Sequence, residues 1–508
     1  MKNKTPQWVK LCVSASWRAL LLCGYGQAAA QISAANIIEY QVGNLPFTAP
    51  ADATTLYEQL LLSYQYRGLR AAGRFELFQY SGAASDYREL AQRSLRWENE
   101  HFALAAGNFY EIFGRGLLLR TYEIPGTILE DAGARIRYGF YRDLDGLLLK
   151  YRTRIFEVKA LRGRPLFNTL PPNFSYGDRH PNLLHGVEAN LRFVKDWAVG
   201  GGYLRNSREG EIANYGTVFI SGNLPFSLQL YSEFAQLLNN DDRLFDFSAR
   251  SAHAFYASAN YAAGPFGFSL EAKDYDNFVL LFNDPPPLIR EHAYAVLNRS
   301  THILQPRNET GWQAEAFGHL EAGHTLTLNA SRAENDFGRG TVFQEYFAEL
   351  DVQFNERASA KVFLDRSEDP FNLEESRNAG GLYLQNEWGK NWGTVADVEF
   401  QNFDRVLRPR QKVENYYAAL TLTRAPKLSA GVIWERTTDP LLTDHPGTEA
   451  VETRGRNWLA GTLGYQYSNS FLFSLFYGKR RGGPACTSGI CYEVLDFEGF
   501  EMRITSNF

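Results

Sequence analysis

The chain ends in Gly499-Phe500-Glu501-Met502-Arg503-Ile504-Thr505-Ser506-Asn507-Phe508. Phe500, Met502, Ile504 and the terminal Phe508 fall on alternate positions, broken only by Ser506, while Glu501, Arg503, Thr505 and Asn507 fill the positions between. Side chains along a strand point to opposite faces, so one face of this segment is apolar and the other polar. A closing transmembrane strand with lipid on one side and water on the other has this pattern. An edge strand of a soluble sheet alternates in the same way, so the rest of the chain has to decide.

Composition favours the membrane. Aromatic residues make up 14% of the 508, with 28 Tyr, 36 Phe and 43 Gly, whereas Cys and Met number 4 and 2. A mean hydropathy of -0.34 does not argue against a membrane, because barrel strands hide their apolar half by alternation and contain no long hydrophobic run. The net charge of -5 gives no electrostatic reason to expect nucleic acid. Residues 1–30 read as a cleaved signal peptide. Lys2, Lys4, Lys10 and Arg18 precede the short apolar run Ala19 to Cys23, and Ala28-Ala29-Ala30 supplies small residues before Gln31. Residues 31–508 then form the mature chain, whose only cysteines are Cys486 and Cys491. In an exported protein the default for such a close pair is a disulfide.

From about residue 184 the sequence repeats one device: an alternating run, a short turn, a second alternating run, and a longer polar connection. In Pro265 to Lys273, for example, Phe266, Phe268, Leu270 and Ala272 share one face, and Gly267, Ser269, Glu271 and Lys273 share the other. Tight turns at 194–196, 222–225, 263–265, 355–357, 389–391, 425–427 and 468–470 alternate with longer connections at 206–214, 238–251, 275–309, 367–377, 404–412, 438–452 and 480–490. Short turns at one end and long loops at the other are the asymmetry of an outer-membrane barrel. Trp197, Trp388, Trp392, Tyr467 and Phe471 stand beside the short turns, where an aromatic girdle belongs. The expected fold is all-β, a single closed antiparallel transmembrane barrel of about 24–26 strands. About seventeen strands follow residue 184, and an odd number precedes it, among them 101–110, 114–123, 133–141, 146–153 and 155–163. If 101–123 folds into the lumen, the count drops from about 26 to about 24. A cylinder this wide needs inward-folded chain, for which 107–132 and the loop 275–309 are the candidates.

The least generic stretch is Gly107-Asn108-Phe109-Tyr110-Glu111-Ile112-Phe113-Gly114-Arg115-Gly116-Leu117-Leu118-Leu119-Arg120-Thr121-Tyr122-Glu123. The Gly-Arg-Gly unit permits unusual backbone and places Arg115 and Arg120 near Glu111 and Glu123. Strand parity sets Arg135 and Arg137 opposite a lipid-facing Ala134, Ile136 and Tyr138, and sets Lys150, Arg152 and Arg154 opposite Leu149 and Tyr151. Such a basic wall reads as an anion-attracting constriction, since rings of charge set selectivity in channels. The structural alternative is that these residues simply pair across the lumen. In the loop 275–309, stiffened by Pro285-Pro286-Pro287, the residues His292, Tyr294, Arg299 and His302 are candidates for holding a ligand outside the barrel.

These motifs, with Gly482-Gly483, Cys486, Cys491-Tyr492 and the Phe500-Glu501 strand, resemble an uncharacterised family of large outer-membrane barrels from Bacteroidota-like bacteria. Phe500, Met502, Ile504 and Phe508 are also similar to the C-terminal signal read by the outer-membrane insertion machinery. The resemblance implies a fold and a location in the cell outer membrane, and no activity. Hydrolase and nucleotide motifs are absent, no catalytic or cofactor residues are assigned, and the nine His are scattered. Only His319 and His324 flank one turn, with no third metal ligand. The expected function is therefore a monomeric, passive, porin-like conduit for a solute or polymer, in contact with lipid. A partner-binding scaffold, engaged through its outer loops or lumen, is the alternative, and a barrel-borne hydrolase is a third reading.

Overall fold

The computed structural model describes residues 30–46, 48–82, 86–131, 135–166, 179, 181–194, 196–238, 252–286, 290–304, 307–336, 340–443, 455–487 and 489–508. Residues 1–29 of the expected signal peptide lie outside these. Twenty-four strands form one sheet, each antiparallel to its neighbours. The sheet closes where Phe497–Asn507 lies against Ala30–Asn44, with Phe500 opposite Val42, Met502 opposite Tyr40, and Ile504 opposite Ile38. Phe508 donates its N–H to the Ala34 carbonyl at 2.8 Å and accepts from the Ala34 N–H at 3.1 Å, and its ring meets Phe471 edge-on at 5.1 Å. Closure leaves no unpaired sheet edge, which hydrocarbon would not tolerate.

The wall is inside out relative to a soluble protein. In Ala358–Asp369, Val362 and Leu364 point outward, Leu364 with 66% exposure, while Phe363, Asp365 and Ser367 point inward and are buried. In Leu428–Thr437, Val432 is exposed and Glu435 and Thr437 are buried. A continuous apolar band of this kind would drive aggregation in water and suits lipid. The chain is thus an outer-membrane type β-barrel. Both ends of the described chain lie at the end with tight turns, since Ala30 stands opposite Tyr66 and Asn507 opposite Ala35. There Trp388 and Trp392 stack at 5.4 Å across the Gly389-Lys390-Asn391 turn.

Seventeen wall strands begin at Leu183 or later, and seven precede it. The lower of the two expected totals holds, but for a different reason. Phe102–Phe109 is a wall strand, and it pairs directly with Leu144–Arg152. The intervening residues form the short pairs Ile112–Phe113 with Leu119–Arg120 and Tyr122–Glu130 with Arg137–Arg142, both inside the cylinder. The segments 114–123 and 133–141 are therefore not wall. Tyr138, expected to face lipid, is buried in an interior cluster with Ile124, Leu129 and Phe140, and Ile136 packs against it. Ala134 lies outside the described residues. The expected long connection 206–214 is instead a tight hairpin at Glu209-Gly210, with Arg208 paired to Glu211.

Replacing Leu364 by Arg sets a charge on the lipid face of a wall strand and is expected to cost about 2–4 kcal/mol. Denaturant unfolding from bilayers measures it; a cost under about 0.5 kcal/mol would contradict the lipid contact.

Candidate functional site

Among the described residues three segments enter the lumen, the first of them made of two successive hairpins, and the wall residues that hold them define the site. The first opens with a tight hairpin whose tip is Gly114-Arg115-Gly116, with Gly114 at φ 53° and Gly116 at φ 97°. A Cβ on Gly114 would lie 2.5 Å from the Glu233 carboxylate, so a side chain there would push that carboxylate off the tip. The Gly114 N–H donates to Glu188 and the Arg115 N–H to Glu233, each at 2.7 Å. Two wall carboxylates thus grip the tip by its backbone, while Phe113, Leu117, Leu118 and Leu119 pack with Leu144, Leu184 and Leu204 in an apolar cluster. The Arg115 side chain takes no part in that grip. Its guanidinium lies 5.0 Å from the centre of the Tyr231 ring.

The remaining sequence-derived candidates fall into two groups. Glu111 pairs not with Arg115 or Arg120 but with Lys150 at 2.5 Å and Lys159 at 3.3 Å, and Glu123 is paired with Arg74. The backbone N–H of Arg120 donates to Asn283 at 2.6 Å. Arg135 bonds Glu130 at 2.5 Å and also Asn44, and the buried Arg137 is paired with Glu39, which holds Arg503 as well. Arg152 meets Glu98 at 3.0 Å, with both side chains largely exposed. Arg154 sits on an exposed turn. The inner hairpin, and not the wall as expected, carries Arg135 and Arg137.

The expected outer ligand loop also folds inward. His292, Tyr294 and His302 are buried. The Asn283 amide donates to the carbonyls of Gly116 and Leu117 at 2.9 and 3.0 Å, locking this loop to the first segment. Ala295 and Val296, at the start of the four-residue helix Ala295–Asn298, donate their N–H groups to Glu399 at 2.9 and 2.8 Å. Tyr294 bonds Glu349 at 2.6 Å and Arg299 bonds Glu435 at 2.7 Å. The third segment is the hairpin Gly483–Thr487 with Ile490–Val494, in which Cys486 and Cys491 are disulfide-bonded. Asn298 and Cys486 exchange two hydrogen bonds at 3.2 Å, and Arg299 reaches the Arg481 and Gly482 carbonyls. His319 and His324 bond Thr325 and the Gln353 N–H respectively.

What sequence reading missed is the wall side of most contacts, Glu39, Glu76, Glu188, Glu233 and Glu399 among them. Glu76 is fully enclosed and accepts from Tyr57 and Tyr141 at 3.0 Å and from the Gly139 N–H at 3.2 Å. Each of these residues sits on the polar face of an alternating run, where nothing local separates it from a solvated carboxylate. Chemically, the arrangement blocks and holds. Among the described residues, no group of three or more His, Cys, Asp or Glu is placed to bind a metal ion.

A family model described as "Family of unknown function (DUF6029)" matches residues 24–367. No curated protein matches the sequence. Among solved structures, the chain is similar to an E. coli P pilus tip assembly intermediate, PapC-PapD-PapK-PapG, with a TM-score of 0.51 at 9% identity, over 94% of this chain and 60% of that one. The P pilus usher (PapC) translocation pore gives 0.45 at 10% identity, over 94% and 99% of the two chains. OccAB1 of Acinetobacter baumannii gives 0.37 at 11%, over 67% and 90%. At such identities the likeness concerns the fold alone.

His302 joins the second segment to the wall, lying 3.0 Å from Asp369 and 3.4 Å from Glu309, against the Phe343 ring and near Lys273, which pairs with Glu309. Burial opposes its protonation, but hydrogen bonds to Asp369 and Glu309 outweigh it and push the imidazole up to about 9. Its contribution is complete below the unfolded value of about 6.5 and is lost as pH rises through about 9. Protease cleavage within 290–304 is expected to speed up over that window, and His302→Gln to remove the pH dependence; a flat wild-type profile would refute this tie.

Proposed function

The chain belongs to the family of unknown function DUF6029, and from that starting point we propose that it is an outer-membrane conduit stoppered by its own chain, passing a solute or polymer passively when the stopper shifts. The observation that supports this is the polar nature of the attachment. The inward segments reach the wall through hydrogen bonds and ion pairs to Glu39, Glu188, Glu233, Glu399 and Glu435. Water can take up such contacts as a segment withdraws, which an apolar seal would not permit, so a stopper held by them can be released and reseated. A cylinder of 24 strands is also wider than its own side chains can fill. In this reading the tight turns and both chain ends face the periplasm, the long loops face outward, and residues 1–30 are removed on export. Arg135, Arg137, Glu123 and Lys150 act as stopper clamps, and the pore-lining role narrows to Arg115, Arg152 and Arg154. Phe500, Met502, Ile504 and Phe508 serve insertion.

The density of internal ties favours a second reading, a rigid scaffold for a partner protein. Planar-bilayer recording separates the two. The wild type is expected to show a small or intermittent conductance, and Arg299→Ala with His302→Ala to raise the mean current several-fold. A barrel that stays silent even after residues 290–304 are replaced by a Gly-Ser linker, and that co-purifies with a stoichiometric partner, would leave the scaffold standing.

A further inference from the structure

We propose that the recess beneath the Gly114-Arg115-Gly116 tip, reached from the tight-turn end of the barrel, is a binding site for an acidic saccharide. The recess measures about 160 Å³, the scale of one sugar ring, and Arg115 forms its roof. Its floor is set by strand register. Tyr231 stands opposite Ser221 and Ser258, and Gln229 opposite Asn223 and Asn260, so all six share the inward face shown by Glu233 on the same strand. Amides and hydroxyls both donate and accept, as recognition of sugar hydroxyls requires.

Arg115 supplies what a neutral sugar would not need. Its backbone N–H is committed to Glu233, its ring partner is Tyr231, and no carboxylate among the described residues lies within ion-pair distance of its guanidinium. Most other arginines inside the lumen, Arg74, Arg137 and Arg405 among them, are matched to acids. A second basin of about 460 Å³ adjoins the first, sharing Asp196 and Ser221, and is lined by Arg154 and Arg192. Neither of these two forms an ion pair with a described residue. Three unmatched guanidinium groups spread over the two adjoining basins favour an acid repeated along a chain, and Arg presents a fork that fits a carboxylate. The exposed Asp196 between the basins is placed to accept hydroxyls and to repel misplaced acids.

Calorimetric titration of the detergent-solubilised barrel with trigalacturonate, galactotriose and inorganic phosphate tests this without any current, so its failure is separable from that of the conduit. Wild type is expected to bind trigalacturonate at least about tenfold more tightly than galactotriose, and Arg115→Gln to erase that difference. The variant keeps both backbone bonds of the tip, and unchanged heat-modifiable gel mobility confirms its fold. Asn260→Asp, which adds a negative charge to the floor, is expected to abolish trigalacturonate binding independently. Equal affinity for the two trisaccharides, no binding of trigalacturonate by the wild type, unaltered binding by Arg115→Gln, or phosphate competing as well as the saccharide would each overturn the proposal.

Discussion

Everything in this molecule follows from the absence of water at the outside of its wall. A backbone N–H or C=O without a partner costs several kcal/mol in hydrocarbon, so a sheet there has to have no edge. The pairing of Phe497–Asn507 with Ala30–Asn44 meets that demand, and it fixes the register of both chain ends at the same mouth. Once the cylinder is shut, its circumference is set by strand number, and the interior has to be filled by something other than wall side chains.

The filling is unusual in its balance of forces. Apolar packing does contribute, as in the cluster of Phe113, Leu117, Leu118 and Leu119. Yet the wall that faces inward is polar because the same strands give their apolar side to lipid. Any interior segment must therefore satisfy buried carboxylates, and losing one partner of a buried ion pair is far more costly than never having had the pair. This accounts for the backbone N–H groups aimed at Glu233 and Glu399, for the Gly114 N–H that shares Glu188 with the Lys159 ammonium, and for the enclosure of Glu76 by tyrosines. Donors without charge can neutralise a carboxylate's hydrogen-bonding demand without bringing another ion into the interior.

The wall was legible in the sequence because period two is a property of the strand itself and survives any tertiary context. The closing strand, the turn positions and the seventeen later strands all followed from it. The interior was not legible for the same reason. Arg137–Arg142 sets Tyr138 and Phe140 in alternation with Arg137 and Gly139 as a wall strand would, and a strand that faces another segment inside looks locally like one that faces lipid. Parity therefore sent Tyr138 to the wrong environment. At the site, Gly-Arg-Gly marked a special backbone, but the expected neighbours Glu111 and Glu123 pair elsewhere and Arg115 lies beside Glu233 and Tyr231. The partners Glu188 and Glu233 lie 74 and 118 residues away, and only the curvature of the closed sheet brings them to the tip. The loop 275–309 was named both as inward-folded chain and as an outer ligand loop, because its polarity fits either setting, and its donors are matched to wall acids.

The exchange between Asn298 and Cys486 ties together positions 188 residues apart, and it has a temporal meaning. Arg299 finds its carbonyl partners on residues 182 and 183 positions further along the chain. Contacts so distant along a chain form slowly, because the intervening length has to be ordered first. The ties between the second and third segments are therefore among the slower contacts to form, and once made they couple the two, since displacing either breaks hydrogen bonds of the other.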